Sequence, residues 1–109
     1  MVLAHGQDDK GLFELHASIC RTLAHPKRLE ILSLLRQGEL SVGELQATVQ
    51  TTNGNISQHL AILRNQGIIA CRREANFIYN RIADERILSL MRCMQFPFCN
   101  RGGQDGDPV

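Results

Sequence analysis

A chain of 109 residues, 43% of them hydrophobic, has the size and apolar content of a single domain with its own core. No apolar run approaches the ~20 residues of a membrane helix. The opening MVLAHGQDDKG lacks the charged-then-apolar layout of a secretory leader, so a cytoplasmic protein without a membrane partner is expected. A formal net charge of +1 means that charge matters only where it is concentrated, and no glycine-rich phosphate loop, nucleophile–base pair or paired catalytic carboxylates argue for an enzyme.

Residues 1–9 are expected to fray, residues 10–99 to fold, and the Gly- and Asp-rich stretch 100–109 to be a disordered tail. Leu12, Leu15, Ile19 and Leu23 recur at helical spacing and predict a first helix. His25-Pro26 then sets proline at the first position of a second helix, where its missing N–H costs nothing, and Gly38 ends it. Leu29, Ile31, Leu32, Leu34 and Leu35 cover more than one face, which marks this as the central core helix.

Ser41 with Glu44 three residues on forms a capping box, and Leu40 with Leu45 a hydrophobic staple, so a third helix begins within a residue of Ser41. Its stripe is Val42, Leu45 and Val49, and it breaks at Gln50 to Thr52. A fourth helix opens with Thr51 or Thr52 as cap, buries Ile56, Leu60 and Leu63, and stops at Gly67. Beyond it, Ile68 to Cys71 is β-prone, Arg72 to Asn76 polar and turn-like, and Phe77 to Ile82 alternates, which predicts a two-stranded hairpin. A last helix starts near Asp84, carries Ile87, Leu88, Leu90, Met91 and Met94, and ends before Pro97.

Two capped helices a short turn apart, the second with a polar face, are the pattern of a helix-turn-helix. Asn55, Ser57 and Gln58 suit base edges, because Asn and Gln bond bidentately to adenine and Ser bonds to bases or phosphates. Thr52 and Asn53 sit where a helix start holds phosphate, and His59, next to Leu60, either touches phosphate or packs. Between Thr51 and Ile82, Arg64, Arg72, Arg73 and Arg81 oppose only Glu74, an excess of about three positive charges. Arg72, Arg73 and Asn76 at the hairpin are therefore expected to neutralise phosphates or enter a minor groove.

From Leu15 to Met94 the chain resembles the ArsR/SmtB family of winged helix-turn-helix repressors. The likeness rests on LAHPKRLEILSLL, ELSVGEL, TTNGNISQHLAILRNQGII and REANFIYNRIAD, in the family's order and spacing. It implies a mainly α fold of about five helices with a small β-hairpin as a two-stranded wing. It also implies a homodimer packed through the first and last helices, and repression by binding double-stranded operator DNA until an inducer releases it.

Inducer chemistry is sought in the four cysteines, since thiols in a reducing cytosol more often bind metals or sense oxidants than form structural disulfides. Cys71, in a wing strand, reads as packing, whereas Cys20, Cys93 and Cys99 fall on or just beyond the first and last helices. Ser41 and Gly43 stand where some metal-sensing relatives carry cysteines, Asp84 to Gln95 has no histidine for a zinc site of the last-helix type, and Ser33 occupies the segment where a redox-sensing branch carries a thiol. His16 and His25 read as surface or capping residues. Two readings stay open: a thiophilic ion such as trivalent arsenic held by Cys93, Cys99 and Cys20, or a disulfide or polysulfide bridge among these redox-active thiols. A constitutive DNA-binding module without inducer is the alternative, and no organic cofactor is expected.

Overall fold

The computed structural model describes residues 6–50 and 53–94. Five helices and three strands follow in the order α1 (Gly6–Leu23), α2 (Pro26–Leu35), β1 (Leu40–Ser41), α3 (Val42–Thr48), α4 (Asn53–Asn65), β2 (Ile69–Glu74), β3 (Phe77–Ile82) and α5 (Glu85–Cys93) among the described residues. Helix α1 begins at Gly6, inside the stretch expected to fray.

Local chemistry sets most boundaries. His25 caps α2 by accepting the Lys27 N–H on Nδ1 at 3.2 Å, with Pro26 behind it at the first helical position. Helix α2 ends at Leu35, and i→i−3 bonds from Gln37 and Gly38 close the turn that sequence had assigned to the helix. Ser41 Oγ accepts from the Glu44 N–H at 3.1 Å, and Glu44 Oε1 accepts from the Ser41 N–H at 2.8 Å, completing the capping box that starts α3. At the far end of α4, Gly67 adopts φ 76, its N–H bonds to the Arg64 carbonyl, and the Ile68 N–H bonds to Leu63. These bonds define a Schellman stop that needs the left-handed region glycine enters at no steric cost. Asp84 caps α5, and its carboxyl is held at about 2 by the Arg86 guanidinium, the Arg86 N–H and the charge between them.

The hairpin β2–β3 is the expected two-stranded wing, and β1 adds a third strand to its sheet. The strand order is β1-β3-β2, all antiparallel, because Leu40 and Ser41 are extended before α3 and pair with Asn80 and Tyr79. Strand β2 also runs to Glu74, so Arg72 and Arg73 lie in a strand, and only Ala75 and Asn76 turn. Ala75 reaches that tight turn with φ 56, the left-handed region usually taken by Gly or Asn, so the turn is shorter than the polar run Arg72 to Asn76 suggests.

Ile31, Leu32 and Leu35 of α2 meet Leu45 and Val49, Ile56, Leu60 and Leu63 of α4, Ile68 and Ile69, and Ile87 and Met91 of α5 in one buried cluster. Helix α1 stays half outside it, with Leu23 buried but Leu15 53% and Phe13 66% exposed, and Leu90 of α5 is exposed nearby in sequence space to the buried Met91. That surface is more than single scattered apolar residues require.

One core position is unsatisfied. Asn80, in the central strand, has no exposed surface, and neither its Oδ1 nor its Nδ2 has a partner among the described residues. A buried amide without hydrogen bonds costs free energy that an apolar residue of similar shape does not. Asn80→Val is expected to stabilise the fold by about 1 kcal/mol, raising the thermal midpoint by a few degrees at fixed protein concentration. A lowered midpoint in scanning calorimetry would refute this.

Candidate nucleic-acid interface

Helix α4 has one buried and one open side. Ile56, Leu60 and Leu63 face the core, packed toward α2, α3 and β2, while Asn55, Ser57, Gln58 and, near the C-terminus, Arg64 are exposed. The helix starts at Asn53, so the polar residues occupy its first turns, where unpaired backbone N–H groups and the dipole favour phosphate. Thr52 and its neighbour Thr51 lie outside the described residues, and for Asn53 only the backbone is described.

In the wing, directly paired residues share a face. Ile69 with Ile82, Cys71 with Asn80 and Arg73 with Ile78 form one face, and Ala70 with Arg81, Arg72 with Tyr79 and Glu74 with Phe77 the other. Arg72 is on the face opposite Arg73, and it is engaged. Its Nε and NH2 bond to the Glu39 carboxylate at 2.8 and 2.7 Å, its NH1 bonds to Glu74, and its guanidinium lies 4.8 Å from the Tyr79 ring centre. The fork lowers the Glu39 pKa, first through the hydrogen bond from Arg72 and then through the charges of Arg72 and Arg81, against the opposing effect of burial. Arg73 and Asn76 are exposed at the tip beside Phe77 and Ile78, themselves exposed.

His59 turns the other way. It is half-buried, its Nδ1 accepts from Arg28 Nε at 3.2 Å, and its ring meets that of His25 edge-on at 4.5 Å between centroids. Burial, then the charges of His25 and Arg28, push its pKa below the usual histidine value. Sequence reasoning missed Arg28 and Glu39, whose partners lie 31 and 33 residues away. The one local hint was His25 before proline, which fixes an imidazole at the head of the helix carrying Arg28.

The described thiols Cys20, Cys71 and Cys93 are exposed and unbridged, and Cys99 lies outside the described residues. Cys20 lines an open groove of about 460 Å³ with Leu15, Ile19 and Leu23 of α1 and Ile87 and Leu90 of α5. Among the described residues no three His, Cys, Asp or Glu side chains gather as a metal site. No described helix is long and apolar enough to cross a membrane.

Comparison with known proteins agrees with this geometry. The family model described as bacterial regulatory protein, arsR family, matches residues 25–70. A biofilm growth-associated repressor of Agrobacterium fabrum is 42% identical over 83 residues, covering 76% of this chain and 71% of the relative. The solution structure of a homodimeric winged helix-turn-helix DNA-binding domain from Mycobacterium bovis, described as a possible ArsR-family regulator, superposes with a TM-score of 0.75 at 30% identity. That likeness spans 86% of this chain and 87% of that one. Reduced HlyU from Vibrio cholerae gives 0.78 at 28% identity, over 85% and 98% of the two chains.

The two neighbouring arginines of β2 are expected to behave differently. Arg73→Ala should weaken binding to every duplex alike and flatten the slope of log K against log salt by about 0.9, the value of one phosphate contact. Arg72→Gln should leave that slope unchanged. Fluorescence anisotropy across a salt series measures both, and a flattened slope for Arg72→Gln would show that Arg72 leaves Glu39 for phosphate.

Proposed function

The chain belongs to the ArsR family of bacterial transcriptional regulators, DNA-binding proteins rather than enzymes, and from that premise we propose that it is a homodimeric repressor that reads a pseudo-palindromic operator with α4. The observation that carries the reading is the exposure of Asn55, Ser57 and Gln58 over a stripe, Ile56, Leu60 and Leu63, that is out of solvent. In this reading α4 enters the major groove, and Arg73 and Asn76 of the wing meet the flanking backbone or minor groove. The exposed apolar surface of α1 and α5, including Leu15, Phe13 and Leu90, supports pairing with a second copy through these helices, as does the homodimeric Mycobacterium bovis domain. A two-fold dimer sets its recognition helices about 34–36 Å apart, one turn of duplex.

Release from DNA is proposed to follow attack on exposed thiols. Cys20 and Cys93 stand on the two helices assigned to the dimer contact, and both are exposed. A trivalent arsenic site needs a third soft ligand, from Cys99 or a second protomer, because no cluster of three ligands forms among the described residues. A disulfide or polysulfide bridge needs only two thiols, and a relative solved in a reduced form favours keeping this second reading.

Three measurements test the proposal. Gln58→Ala should cost about 1 to 3 kcal/mol on a duplex selected by the wild-type protein and much less on random DNA; equal losses on both would refute base reading. Leu15→Glu should yield monomers in sedimentation analysis and abolish operator binding, whereas an unchanged dimer would place the interface elsewhere. Arsenite and polysulfide, added separately to wild type and to variants with serine at positions 20, 93 and 99, should release DNA only where the responsible thiols remain. Release by neither reagent would leave a repressor without a thiol inducer.

A further inference from the structure

Arg28 is the one side chain whose described bonds join three helices. From α2, its NH1 donates to the Thr22 carbonyl near the end of α1 at 3.0 Å, and its Nε donates to His59 Nδ1 on α4 at 3.2 Å. His59 directly follows the base-facing pair Ser57 and Gln58 and lies one turn after Asn55. An imidazole nitrogen that accepts from a guanidinium must carry its lone pair, so this bond exists only while His59 is neutral. His25, edge-on at 4.5 Å, is under the same restriction, because its Nδ1 accepts the Lys27 N–H that caps α2.

We propose that Arg28 positions the recognition helix through neutral His59, and that uptake of a proton by His59 breaks this latch and lowers operator affinity. The inference rests on α4 being the base-reading helix. Protonation would turn Nδ1 into a donor facing the Arg28 donor and bring two positive charges together. The proton comes from solvent and forms an Nδ1–H bond with the imidazole lone pair, and the hydrogen bond from Arg28 is the interaction that breaks.

The surroundings favour this sign. Helix α4 packs on α2, α3 and β2. Helix α2 and its cap present His25, Lys27, Arg28, Glu30 and Arg36; Lys27 pairs with Glu30 at 3.5 Å. Helix α3 presents Glu44, held in its capping box. Strand β2 presents Cys71, Arg72, Arg73 and Glu74, and α4 itself carries Arg64. Of these, His25 and Arg28 act on His59, and both join burial in lowering its pKa. A histidine whose pKa is lowered in the latched state supports that state fully above about 6.5, the ordinary value. The support is lost as pH falls below that and through the lowered value. Acid therefore favours the released helix. The opposite sign would follow if His59 met phosphate directly, since a protonated imidazole there would strengthen binding.

The test uses the full chain and a duplex selected from a random pool by the wild-type protein at pH 7.5. Anisotropy is followed from pH 7.5 to 5.5 at constant ionic strength. Wild-type affinity should fall roughly fivefold or more, the lower end of ordinary coupling energies. His59→Asn retains an acceptor near the Nδ1 position but cannot take the proton; whatever its affinity at pH 7.5, it should lose most of the pH response. Arg28→Gln should bind more weakly at pH 7.5 and lose the response as well. NMR titration of the wild-type protein keeps the idea falsifiable if a variant fails to fold: His59 should titrate below the ordinary histidine value of about 6.5. Affinity that is flat or rises in acid, a full response in His59→Asn, or His59 titrating at or above about 6.5 would overturn the latch. Base reading by α4 fails separately, through equal affinity for selected and random duplexes at pH 7.5, and the NMR titration then still decides the latch.

Discussion

Helix α4 can sit in only one rotation about its own axis, because Ile56, Leu60 and Leu63 must all leave solvent together against α2, α3 and β2. Turning it by the ~100° that separates successive residues would expose three large side chains and bury Asn55, Ser57 or Gln58 without partners, each costly. The outward direction of the polar residues is thus a consequence of core packing. The Schellman stop at Gly67 then sends the chain straight into β2, since Ile68 and Ile69 are buried beside Leu63. Recognition helix and wing are consequently fixed to each other by the same buried cluster, and a shift of one must disturb the other.

Within that frame, charge is decided by placement and not by number. Arg64, Arg72, Arg73 and Arg81 all lie between Thr51 and Ile82, yet Arg72 is tied to Glu39 and Glu74 over the Tyr79 ring. An exposed ion pair of this kind adds little to stability. What it does is spend the fork of one arginine on holding the outer face of the wing to the residue just before β1, so that the next residue, Arg73, lies on the opposite face near the tip. Pleat alternation separates a positioning arginine from an available one at adjacent positions.

Features encoded within a few residues were legible in the sequence: the Ser41–Glu44 capping box, Pro26 at the head of α2, Asp84 before α5 and Gly67 after α4. Each follows from a local backbone need that only certain residues satisfy. The buried stripe of α4, and with it the exposure of Asn55, Ser57 and Gln58, was legible for the same reason. Strand β1 was not, being two residues long and defined by its pairing with β3 some forty residues later in the chain. The extension of β2 through Arg72 and Arg73 was hidden because the left-handed turn position falls on Ala75, not on a Gly or on Asn76. Glu39, Arg28 and the inward turn of His59 depend on contacts across the fold, about which neither periodicity nor composition carries information.

Two polar ties run from α1 to the recognition helix and its end. Arg28 links the Thr22 carbonyl to His59, and Gln66, just past α4, donates from Nε2 to Ser18 Oγ at 3.3 Å. They meet α1 four residues apart and grip α4 near its middle and at its end, so they bear on its tilt more than on its position. Helix α1 also carries the exposed Leu12, Phe13 and Leu15 and the exposed Cys20. A change in how α1 packs therefore has a short mechanical route to the exposed polar side of α4. In the proposed readings, thiol chemistry at α1 would act on that route from one end and a proton on His59 from the other.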